Sequence, residues 1–266
     1  MGAVRQSWGK ARQLKPARVR RDAEREFRLA LFGADEADRE ALARAFLPEL
    51  LDGPERARAL RHFDEAPSGR GEVLAVRTPA AQGGGIVVDW RAPEAGFLAL
   101  LQAHPRHRLA LARAFPPLRD PLARQLIQAV AARNAALAAI SALPEVIPTP
   151  LSLLLALGEF GSDTVLLTGN QIGLCFELAA LRGDVVGWGA QAAPIAAILL
   201  GAFGWRALAR ELVSLIPGGA GLAAKAGIAY SGTMAVGHAL WRMPKRSTTA
   251  TAPVARRLLA RARQSA

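Results

Sequence analysis

Cysteine is almost absent from these 266 residues. Cys175 stands alone, which excludes an intramolecular disulfide and a zinc site built on clustered thiolates. Its setting, IGLCFEL, is that of an inert packed thiol. Asparagine occurs only at Asn134 and Asn170, so the chain holds no Asn-Lys-x-Asp segment to read a guanine base. Lysine is nearly as scarce, at Lys10, Lys15, Lys225 and Lys245, so arginine carries the basic character. No G-x-S-x-G elbow and no paired-carboxylate signature occurs. Histidine is limited to His62, His104, His107 and His238. His104 and His107 sit three apart as HPRH, but no carboxylate lies near them in sequence, so a surface pair is expected rather than a metal site. No apolar stretch of signal-peptide length follows the charged first 25 or so residues, so a signal peptide is not expected. Catalytic, cofactor and metal residues are all expected to be missing, and the chain reads as a non-enzyme.

What is present is segregated. Apolar residues make up 51% and charged residues 21%, with a net charge of +12. Nine of the first 28 residues are Lys or Arg, and residues 242–266 hold seven more with no acid. Residues 185–205, by contrast, carry no charge at all. A balance this basic points to an anionic partner. Basic ends around apolar middles fit a membrane face, where cytoplasmic flanks collect Lys and Arg. Nucleic acid is not expected, because neither tail interleaves aromatics for base stacking.

Hydrophobic periodicity divides the chain into a basic arm (1–24), a small α/β unit with following helices (25–118), a helical domain (119–243) and a basic tail (244–266). EFRLALF (26–32) reads as a buried strand ending at Gly33. A helix over 35–51 follows, with Ala41, Leu42, Ala45, Phe46 and Leu50 on one face and Asp35 as N-cap. Strands are predicted at 72–78 and 85–90, around PAAQGGG. Helices fill the rest: 97–104, 107–115, 121–143, 151–181 closed by Gly183, 187–215 and 219–241. The fold class is therefore mainly α, a Gly/Ala-rich helical bundle or hairpin preceded by the α/β unit.

Strand, Gly33, helix is the layout of a P-loop, yet the required residues are missing. Laying G-x-x-x-x-G-K-[ST] on GADEADRE places Asp38, Arg39 and Glu40 where Gly, Lys and Ser/Thr belong. Four acids at the start of that helix would repel a triphosphate. Asp89 stands where a magnesium-organising aspartate would, but WRAP follows it. A decayed P-loop-like fold stays open; a working one is unsupported.

WRALARELVSLIPG, the Gly/Ala-rich helix with Lys225, and YSGTMAVG carry a family likeness, as do ARNAALAAISALPEVIPTPLSLL and the Asn170-Gln171 pair. Over about residues 120–241 the chain resembles the DUF697 family, a domain of unknown function found in YcjF-type proteins and after bacterial GTPase domains. The resemblance implies an all-helical, membrane-associated module, often coupled to a GTPase, with no established enzyme chemistry.

Two stretches, 185–205 and 219–241, are candidate membrane spans forming a hairpin with both termini cytoplasmic. In the second, Gly219, Ala223, Gly227, Ser231 and Ala235 recur every fourth residue, the small-residue spacing of close helix packing. Glu159, Asp163, Asn170 and Glu177 form a polar stripe. In lipid it would need Lys225, Arg206 or Arg210 as partners; the preferred reading makes it the wet side of its helix. The expectation is thus a non-enzymatic scaffold or interaction module at a bacterial inner membrane, facing anionic headgroups, with a GTPase or a second copy as further partner. The alternative is a helical regulator of a separate GTPase in the cytoplasm.

Overall fold

A computed structural model describes residues 16–48, 53–63, 71–146, 162–201 and 220–244. The described chain is mostly helical, with one three-stranded sheet of order β1-β2-β3. Helix α1 (Pro16–Ala23) opens it, within the basic arm for which a disordered or partly helical chain is expected. In β1 (Phe27–Phe32) Phe27 and Leu29 are buried while Arg28 and Ala30 are half-buried, the two-residue period of a pleated strand. Asp35 caps α2 (Glu36–Phe46), its Oδ1 accepting the Asp38 N–H at 2.8 Å. This helix stops short of residue 51, because Leu47 precedes Pro48 and has left the helical region.

After α3 (Gly53–Leu60), β2 (Glu72–Arg77) pairs in parallel with β1, from Phe27 opposite Glu72 to Phe32 opposite Arg77. β3 (Ile86–Val87) is also parallel to β2, so PAAQGGG carries the chain back alongside β2. The helices are α4 (Glu94–Ala103), α5 (Arg108–Ala114), α6 (Arg119–Val146) and α7 (Ser162–Leu181), then α8 at 192–201 and α9 (Ala220–Arg242). Pro116 and Pro117 break α5 from α6 as expected, in a 3-10 turn, whereas α6 runs on past Pro144. Gly183 ends α7 at φ +79°, with Asp184 N–H bonded to Ala179 O and Gly183 N–H to Ala180 O. That paired geometry needs a left-handed residue, which glycine adopts without a Cβ clash.

One buried cluster runs from Ala23 and Phe27 through Leu111 and Ile127 to Phe176 and Leu240, so sheet and bundle share a core. At its sheet end the His62 ring stacks on Phe27 at 4.3 Å, and Phe115 packs edge-on against Phe27 and Phe46.

Two expectations are corrected. First, no described helix is long and apolar enough to cross a membrane. The stretch 185–205 is not one helix: residues 185–191 are non-helical and pinned by Gln191, which bonds Val185 O and Gly187 N. Helix α9 has the length, but Lys225, His238 and Arg242 among many Gly and Ala residues keep its mean hydropathy low. Second, Ala223, Gly227, Ser231 and Ala235 lie exposed on the open side of α9, and a Cβ at Gly227 would meet nothing. The packed face is the one bearing Thr233, Gly237 and Leu240, where Ile127 of α6 lies so close that a Cβ on Gly237 would come within 2.6 Å of it. Gly219 falls outside the described residues.

Candidate functional site

The turn from β1 into α2 has the P-loop's outline and a carboxylate in its mouth. Asp38 Oδ2 accepts the Ala34 N–H at 3.0 Å and the Thr78 hydroxyl, and Oδ1 accepts the Trp90 indole N–H at 2.8 Å. The Thr78 hydrogen bond, then those from Ala34 and Trp90, hold the Asp38 carboxyl below its usual range. Backbone and side-chain donors that could hold a phosphate are thus engaged by an internal anion. The Asp89 carboxylate accepts its own turn's Arg91 N–H, at 3.0 Å.

The strongest positive feature lies elsewhere, in a cleft of about 830 Å³ between α1, the α4–α5 turn, α6 and α7. Six guanidinium groups line it: Arg18, Arg21, Arg25, Arg106, Arg108 and Arg133. Helical spacing brings Arg18 and Arg21 to one side of α1, and the turn after α4 projects Arg106 and Arg108 toward them. Two acids oppose the six bases. Asp22 is shared between Arg25 at 2.8 Å and Arg18 at 3.7 Å. Glu177 lies 4.0 Å from Arg108, and burial pushes its carboxyl above the usual range against the pull of Arg108, Arg133 and Arg18.

That placement corrects the wet-side reading for Glu177 and Asn170. Glu177 is half-buried at the cleft and meets Arg108; Lys225, Arg206 and Arg210 were candidate partners only for a stripe in lipid. Asn170 Nδ2 reaches Asn134 Oδ1 at 2.8 Å, and Asn134 Nδ2 in turn reaches Thr233 Oγ1 at 2.9 Å. Gln171 adds a bond to the same Thr233 oxygen at 3.3 Å. The Asn170-Gln171 pair is therefore part of a polar layer joining α6, α7 and α9. Lys225 is half-buried on α9 and Asp163 lies in the first turn of α7, while Glu159, Arg206 and Arg210 are outside the described residues.

A third cluster was missed in the sequence. Glu72, the first residue of β2, lies against both histidines of HPRH: His104 Nδ1 is 3.9 Å from one carboxylate oxygen and His107 Nε2 3.8 Å from the other. The carboxylate judged missing is supplied from 32 positions before His104, through the β1–β2 register that fixes the start of β2. Burial lowers the His107 pKa most, with Arg25, His104 and Arg106 lowering it further and Glu72 raising it. Comparison of the chain with protein-family models, with characterised proteins and with solved structures finds no match.

Proposed function

We propose that the protein is a non-enzymatic helical module that attaches to anionic membrane surfaces and acts there as an interaction scaffold. The six-arginine cleft carries this reading, because it gathers cations around a concave space large enough for a phosphorylated headgroup. The net charge of +12 and the two basic ends support it as long-range attraction to the same surface. The resemblance of the helical half to a membrane-associated family points the same way. The acid-filled β1–α2 turn supports treating the α/β unit as an interaction surface rather than a nucleotide switch.

The test is co-sedimentation of the full chain with phosphatidylcholine vesicles, with and without phosphatidylglycerol. Binding is expected only with the anionic lipid and weakens as salt rises. Each basic residue near such a surface contributes about 1 kcal/mol, so Arg18→Glu, Arg108→Glu and Arg133→Glu together, which also add three repelling carboxylates, lower affinity by at least about 100-fold. Equal binding to neutral vesicles, or a triple variant that binds like the parent, overturns the proposal.

A further inference from the structure

We infer that Glu72, His104 and His107 form a binding site for a borderline divalent transition-metal ion of the zinc type. Two imidazole nitrogens and one carboxylate oxygen converge there, all three donor atoms within 4.8 Å of one another. Two imidazoles with one carboxylate make up the protein ligands of open zinc and non-haem iron sites.

Both histidines are held by backbone. His104 ends α4 with its N–H on Leu100 O, His107 N–H bonds His104 O at 3.0 Å, and Leu111 N–H bonds His107 O at 2.8 Å. Glu72 is fixed at its Cα by pairing with Phe27, while its side chain, 59% exposed, is free to swing. A tetrahedral ion with bonds of about 2.0–2.1 Å sets its donors about 3.3 Å apart. The observed 3.8 and 3.9 Å separations therefore need a closure of about half an ångström. Rotation of the Glu72 carboxylate supplies that part, and rotation of the two imidazole side chains brings together their nitrogens, which lie within 4.8 Å of one another.

Local charge decides which ion. The site has one carboxylate, and the guanidinium groups of Arg25 and Arg106 stand close enough to act on His107. Hard cations such as magnesium and calcium depend on several oxygen ligands and on negative charge. This site offers them little, whereas nitrogen coordination stabilises zinc, cobalt or iron(II) without a large net negative field. Among the described residues no fourth His, Cys, Asp or Glu joins the three, so at least one coordination position remains for water or another donor.

The experiment is titration of the full chain, stripped with chelator and dialysed, with cobalt(II), followed by its visible ligand-field bands. Zinc is then measured by displacement of the cobalt. One ion per chain is expected, displaced stoichiometrically by zinc and unaffected by excess magnesium. Glu72→Gln and His104→Asn change partly exposed side chains. Each should weaken binding by more than the roughly 10–100-fold typical of losing an outer-shell partner. His238→Gln should leave the cobalt spectrum and affinity unchanged. An absence of cobalt bands at stoichiometric metal overturns the site, as does parental affinity in Glu72→Gln.

Discussion

At the scale of single residues, burial and hydrogen bonding set the chain's response to pH. His62 is stacked on Phe27 and its Nδ1 lies 3.2 Å from Phe27 O; burial lowers its pKa more than that contact raises it. The folded state therefore resists a proton that the unfolded chain accepts near pH 6.5. More protons on the unfolded side means that stability rises with pH, so His62 adds stability that fades as pH falls below about 6.5. His107 has the same sign, and Asp38, held low by Thr78, Ala34 and Trp90, repeats it below the ordinary aspartate value of 3.8. His62→Gln keeps an amide for Phe27 O and removes one titrating group. Its urea midpoint should change less between pH 7 and pH 5.5 than the parent's. An identical change in both would show that His62 takes no part in the pH response.

At the scale of elements, several local signals were read correctly, though Pro48 as the stop of α2 was not, and partner-dependent ones were missed. The Asp35 cap, the glycine stop at Gly183 and the strand β1 ahead of Gly33 are written within a few residues of where they act. The parallel register of β2 and the face that α9 buries depend on what lies opposite, and periodicity alone does not contain that. The ridge Ala223, Gly227, Ser231 and Ala235 has the spacing of a packing face, but Ile127 selects the one bearing Gly237 instead. Small residues on both faces of α9 made the two indistinguishable in sequence. The correction is testable with a pair of substitutions. Gly237→Ala drives a methyl into Ile127 and should cost about 1–3 kcal/mol, the usual range for overpacking. Gly227→Ala meets open space and should gain up to about 1 kcal/mol from helix propensity. Thermal unfolding that ranks the two the other way would place the packed face on the ridge after all.

At the scale of the whole molecule, positive charge gathers in the first 28 residues, in the last 25, and in a cleft that joins Arg18, Arg21 and Arg25 of the first run to Arg106, Arg108 and Arg133. The first two were legible as runs. The cleft was not, because α1, the α4–α5 turn and α6 contribute arginines more than 100 positions apart, from Arg18 to Arg133. The Glu72 cluster escaped for the same reason. If cleft and tail touch one anionic surface through separate contacts, their contributions should add in free energy and multiply in affinity. Replacing Arg256, Arg257, Arg261 and Arg263 by Gln removes four tail charges in the full-length chain. It should weaken vesicle binding and flatten its salt dependence. Arg108→Glu should then lower affinity by the same factor in either background, since Arg108 lies at the cleft beside Glu177 and not in the tail. A factor that vanishes once the tail is neutral would mean that the cleft holds no lipid by itself. The arginines around Glu177 would then be left to bind some other anion, and the tail would be the sole membrane contact.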